Sequence, residues 1–144
     1  VTAVLVVHAV TALLMCGVVL FVGVVHYPLL ACVGPGAFAE YHRRHAQRTT
    51  WVVAPLMLAE AVTAGWLAAT LHTDARAWIN AALVAACWGV TFGRSVPQHA
   101  RLSAGFDAGV WRALLTWHWV RTLAWIAHAV LAVWMLVSPY AWRP

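Results

Sequence analysis

The stretch TWHWVRTLAWIAHAV, residues 116–130, places two opposed demands on the fold. It is apolar enough for hydrocarbon, yet it carries His118, Arg121 and His128, which cost free energy there. A helix turns about 100° per residue, so positions spaced three, four or seven apart share a face. His118, Arg121, Trp125 and His128 follow at intervals of 3, 4 and 3 and therefore form one polar stripe. A membrane helix with such a stripe needs neighbouring helices to turn it away from lipid, which points to a bundle.

The rest of the chain reads the same way. Its 144 residues are 64% hydrophobic and 9% charged, with a mean hydropathy of +0.80. A soluble domain carries roughly a quarter charged residues. Apolar runs at 2–27, 51–71, 77–96 and 114–137 meet the length of about 20 residues that a spanning helix needs. The expected fold is all-α: a four-helix transmembrane bundle, up-down-up-down, in one domain over 1–144. In the first loop, GPGAFAEYHRRHAQRTT (34–50), Gly34, Pro35 and Gly36 break the chain before Phe38, Tyr41 and His45 recur at helical spacing. That pattern predicts a short amphipathic helix on the cytoplasmic surface. The third loop, SVPQHARLSAGFDAGVWRALL (95–115), is expected to hold another. The turn LHTDARA (71–77) offers Asp74 as the N-cap of the third span.

The net charge of +5 is carried by arginine, since all nine basic residues are Arg. Arg43, Arg44, Arg48, Arg94, Arg101, Arg112 and Arg121 cluster around the first and third loops; Arg76 and Arg143 lie at the opposite end. The positive-inside rule places the Arg-rich loops in the cytoplasm and both termini outside, as expected of a bacterial inner-membrane protein. Trp51, Trp111 and Trp117 fall near the inner boundary, Trp78 and Trp142 near the outer one. The charge thus speaks for a bilayer as partner and against nucleic acid. Cys16, Cys32 and Cys87 form no CxxC pair, and the first and last read as small buried hydrophobes. LLAC (29–32) resembles a lipoprotein cleavage box, but the apolar run before it is too long and is interrupted by His26 and Pro28.

Each span has its polar residues on one side. Span three gives Asn80, Cys87, Thr91, Arg94 and Gln98; span one gives His8, Thr11, Met15 and His26; span two gives Glu60 and Thr63. Glu60 is nine positions into its run and Arg121 seven into its own, which predicts a shared level. A carboxylate at mid-depth needs a cation or a proton, so a Glu60–Arg121 ion pair is one expectation. Arg94 and Arg121 are also near enough to the inner boundary to snorkel. His8 and His128 suit hydrogen bonds between helices, whereas His42, His45, His72 and His99 read as solvated. His42 and His45, three apart, make a candidate metal pair. His26 and His118 match in depth and make a candidate haem pair. No cofactor, a haem and a transition metal all stay open at this point.

Three motifs carry a likeness to a known group. They are HYPLL (26–30) followed by Phe38, Tyr41, His42 and His45; VPQHARL (96–102); and Trp117, Arg121, Thr122 and Trp125 in the pattern W-x-x-x-R-T-x-x-W. In these the chain resembles the anthrone-oxygenase-like group of small four-helix membrane proteins. The resemblance implies an oxygenase or oxidase acting on a reduced, hydrophobic aromatic or quinol-type substrate in the cytoplasmic half of the bundle. Such chemistry needs a base and a cation to hold the resulting anion. Glu60 or His118 is then the expected base and Arg121 the cation. Trp117, Trp125, Thr91, Arg94, Gln98 and His26 are expected to line the substrate pocket. Two other classes fit the composition: a haem- or metal-bearing electron-transfer module, and a non-catalytic subunit of a homo-oligomer or larger membrane complex.

Overall fold

The structure, a computed structural model, describes residues 1–138, which form helices and turns with no strand. Four helices are long and apolar enough to cross a membrane: α1 (Thr2–Leu30), α2 (Pro35–Thr70), α3 (Ala75–Leu102) and α4 (Ala108–Val137). Trp142 and Arg143, expected at the outer boundary, lie outside the described residues.

The helix ends follow from local chemistry. Pro35 opens α2, where its missing N–H costs nothing. Asp74 caps α3 as expected, its carboxylate accepting from the Arg76 amide at 2.9 Å. Asp107 caps α4 through the Val110 amide at 2.8 Å. The side chain of Arg76 holds the Asp74 carboxyl below the usual carboxylate range, and the Val110 amide does the same for Asp107. Gly105, at φ +147°, makes the turn between α3 and α4.

Neither loop forms a separate helix. Residues 35–50 are the first part of α2, whose 36 residues run without interruption through Pro55 to Thr70. At about 1.5 Å per residue this helix outreaches a hydrocarbon core of about 30 Å. Residues 96–102 likewise continue α3. The chain breaks before Pro35 and after Leu102, so the Arg-rich segments extend the spans.

α1 and α3 each contain one wide π turn, at Val22–His26 and Thr91–Ser95. Each lies just ahead of a proline, Pro28 or Pro97. Proline has no N–H and its ring crowds the carbonyl four residues back; widening the turn relieves both problems.

α1 packs against α2 and α4, and α3 closes the ring against the same two helices. Ala9 and Ala12 meet Ala129 and Ala132, small residues that let α1 and α4 approach closely. Leu5, Leu67, Ala77 and Met135 seal one end of the bundle. Leu30, Phe38, Leu102, Val110 and Leu114 seal the other. The usual order of polarity is inverted. His8, His42, Glu60, His118 and His128 are fully buried, while Leu13, Phe21, Val62, Leu123 and Val130 face outward. Apolar exposure on this scale suits contact with lipid.

Candidate functional site

Arg121 is the centre of the site. It is 9% exposed and makes no ion pair among the described residues. Nη1 donates to Thr91 Oγ1 at 3.2 Å, and the Thr91 hydroxyl donates to the Cys87 carbonyl at 2.7 Å. Nη2 lies 3.2 Å from His118 Nδ1. The protonation of His118 follows from its other side. Its Nε2 is 2.9 Å from the Val19 carbonyl, which can only accept, so Nε2 carries the hydrogen and Nδ1 accepts from Arg121. Val19 lies three residues before the π turn of α1, and Gly23 within that turn gives the imidazole room. The guanidinium Nε has no protein partner.

Arg121 faces a cavity of about 400 Å³ between α2 and α3. Tyr27, Thr91, Ser95, His99 and Ser103 supply its polar wall, Val53, Ala54 and Met57 its apolar one. Thr50, Phe92 and Val96 line it and are exposed on the flank of the bundle, so it opens sideways. His45 lines the same space. Its Nδ1 meets Thr49 Oγ1 at 3.1 Å while its Nε2, buried, has no partner. Both π turns adjoin this wall: one holds Thr91 and Ser95, the other ends immediately before Tyr27.

A second polar group continues from the cavity toward the turn after α3. Tyr27 Oη lies 2.8 Å from His99 Nε2, and His99 Nδ1 lies 3.0 Å from His42 Nε2. His42 Nδ1 lies 3.3 Å from Ser103 Oγ. His26 stacks on His45 with ring centres 3.8 Å apart.

The third group is separate. His8 bridges Thr63 Oγ1 at 2.6 Å and Asn80 Oδ1 at 2.7 Å, and Asn80 Nδ2 donates to the His128 carbonyl at 3.3 Å. Glu60 Oε1 is 3.6 Å from His128 Nε2, and neither carboxylate oxygen is hydrogen bonded.

The expected residues are therefore divided. Arg121, His118 and Thr91 meet, with His118 behind the guanidinium instead of in the cavity. Glu60 lies beside His128, with no hydrogen bond between them, and not beside Arg121. The depth count failed because α2 and α4 do not start level: Met57 already shares a core cluster with Trp125, a full turn beyond Arg121. Trp125 is closed in core packing with Met15 and Cys87. Arg94 is exposed and lies over the Trp117 ring at 4.8 Å, so this pair is outside the cavity. Gln98 is half-buried, and neither it nor His26 lines the cavity. His42, expected in solvent, is fully buried, and His99 is half-buried. Both ring nitrogens of His42 are taken by hydrogen bonds, which removes it as a ready metal ligand. Among the described residues no group of three or more His, Cys, Asp or Glu side chains is placed for a metal ion. The nitrogens of His118 are likewise engaged, so a His26/His118 haem pair does not fit this packing. Tyr27, Ser95 and His99 were missed as site residues, although the prolines beside Tyr27 and His99 were a usable signal.

No protein-family model, curated protein or solved structure matches this chain.

Proposed function

We propose that the protein spans a bacterial inner membrane four times, up-down-up-down, with both termini outside, and acts as an oxygenase. Its substrate is a reduced, hydrophobic phenol or enol that enters the α2–α3 cavity from the bilayer. Arg121 holds the anion of that substrate for reaction with dioxygen. The observation that carries this reading is a buried guanidinium with no carboxylate partner, facing a largely apolar cavity. An unpaired buried charge costs several kcal/mol, and an anionic ligand offsets that cost. The volume falls within the range of about 300–1,000 Å³ usual for small-molecule sites. The sideways opening suits a ligand dissolved in lipid.

The chemistry asks for three things. A proton leaves the substrate, and the hydroxyl and imidazoles of Tyr27, His99 and His45 are the groups at hand. The anion that remains has carbanion character at a benzylic carbon, and Arg121 stabilises it. Dioxygen then forms a C–O bond at that carbon, and return of the proton gives a hydroperoxide. Loss of water from the hydroperoxide leaves a ketone. His118 is a positioning residue, since its Nδ1 aims the guanidinium.

The test uses the protein in lipid nanodiscs with 1-naphthol as a probe of anion binding and an anthrone as substrate for oxygen uptake. Removing a charge-assisted contact in Arg121→Gln is expected to weaken naphtholate binding about 10- to 100-fold and to abolish uptake. Equal binding and uptake in Arg121→Gln and wild type would refute the proposal.

A further inference from the structure

The hydrogens of the Tyr27–His99–His42–Ser103 chain can be assigned from one end. Ser103 Oγ is 2.9 Å from the His99 carbonyl, which only accepts, so the single hydroxyl proton of Ser103 is committed there. Ser103 must then accept from His42 Nδ1–H. That leaves the lone pair of His42 on Nε2, which accepts from His99 Nδ1–H. The lone pair of His99 is consequently on Nε2 and accepts from the Tyr27 hydroxyl. Every donor in the chain from Tyr27 points the same way, toward Ser103.

The chain runs from a buried end to an exposed one. Tyr27, His99 and Ser103 all border the cavity, Tyr27 at 3% exposure, and His42 is fully buried. Phe38 stacks on His42 with ring centres 5.6 Å apart, and Phe106 covers Phe38 at 5.1 Å. Ser103, in the turn between α3 and α4, is exposed. The groups facing the chain are His26 of α1, His45 of α2, and His118 and Arg121 of α4. None is a carboxylate; the basic groups beside the chain are the imidazoles of His26 and His45, whose Nε2 atoms have no hydrogen-bond partner.

We propose that Tyr27, His99, His42 and Ser103 are a proton relay from the buried wall of the cavity, at Tyr27, to the aqueous face at the Arg-rich end of the bundle. The proposal rests on the reading that the cavity binds its ligand as an anion. In the outward step the ligand O–H proton passes to Tyr27 Oη as the Tyr27 proton passes to His99 Nε2. His99 Nδ1–H passes to His42 Nε2, His42 Nδ1–H passes to Ser103 Oγ, and the Ser103 hydroxyl proton leaves to water. One proton has moved, each residue keeps its count, and both histidines have changed tautomer. The reverse shift returns the proton and restores them. Neither the tyrosine nor the histidines need carry a lasting charge, which suits their burial.

Two measurements on the full chain in nanodiscs decide the matter. The first is ¹⁵N NMR of histidine-labelled protein, with His42 and His99 assigned through single Gln variants. Both rings are expected as the neutral Nδ1–H tautomer, and an Nε2–H tautomer at either would overturn the wire. The second is stopped-flow proton release to a pH dye on mixing with 1-naphthol. Wild type is expected to release one proton for each naphtholate bound. In His42→Phe, whose ring does not border the cavity, naphtholate is still expected at equilibrium, but its proton should appear roughly a hundredfold more slowly, with recovery in added imidazole. His42→Gln breaks the same chain with a polar side chain and serves if His42→Phe folds poorly. Bound naphtholate with an unchanged release rate in both variants would overturn the relay. No naphtholate in wild type would instead overturn the anion site, and with it the task assigned to the relay.

Discussion

His118 occupies a space that a single methyl group would close. A Cβ built on Gly23 comes 2.8 Å from His118 Nε2 and 3.0 Å from Cδ2, closer than such atoms approach. The ring cannot withdraw freely, because Nε2 is bonded to the Val19 carbonyl and Nδ1 to Arg121. Gly23→Ala is therefore expected to destabilise the protein by about 1–3 kcal/mol and to weaken naphtholate binding through a displaced Arg121. Thermal unfolding in detergent and the naphthol titration read the two effects. Gly17→Ala is the matched control, since nothing lies within 4 Å of a Cβ there. Replacing that helical glycine should be neutral or stabilising by up to about 1 kcal/mol. A neutral Gly23→Ala would mean that the imidazole is not held where the geometry puts it. The interval of three residues between His118 and Arg121 was enough to place them on one face. The partner that fixes the imidazole, a backbone carbonyl on another helix, has no side-chain signature and could not be read from the chain.

At the scale of elements, the helix starts rest on short-range chemistry and can be tested singly. Asp74 accepts from the Arg76 amide and also receives the Arg76 guanidinium, with Nη2 to Oδ2 at 2.6 Å. Removing the cap in Asp74→Ala is expected to cost about 1 kcal/mol at neutral pH. The sign of the pH dependence follows from the carboxyl being held below its ordinary value of 3.8. A depressed carboxyl contributes its stability above that value and loses it as pH falls through the lower folded value. The difference in melting temperature between wild type and Asp74→Ala should thus be full at pH 7 and shrink as the pH is taken below 3.8. A constant difference across that range would show that the charge of Asp74 contributes nothing. This cap was legible because Asp74 stands three residues before the apolar run at 77–96. The helix lengths were less so, since an apolar window ends where arginines begin although the helical backbone does not. The π turns were hidden for another reason: Pro28 and Pro97 were visible, but a helix meets a proline by kinking, ending or widening, and packing decides which.

For the whole molecule, the inverted polarity was the clearest signal in the sequence, and the four long apolar helices agree with it. What depth counting could not do was match residues across helices that start at different levels, which is why Glu60 lies level with His128 and not with Arg121. The proposed orientation matters for the chemistry, because the relay ends at Ser103, in the turn that follows Arg101 and precedes Arg112. If the Arg-rich loops are cytoplasmic, protons leaving the cavity go to the cytoplasm. Cys32 offers a native probe of this, being exposed in the link between α1 and α2 at the same end as Phe38 and Leu102. Cys87 is buried, and Cys16 is half-buried with its thiol donating to the Trp125 carbonyl, so neither competes strongly for a bulky polar reagent. A membrane-impermeant maleimide is expected to leave Cys32 unmodified in intact cells and to label it in inverted membrane vesicles, with Cys32→Ser blank in both. Labelling from the outside of intact cells would reverse the orientation, and the relay would then deliver its proton to the opposite side of the membrane.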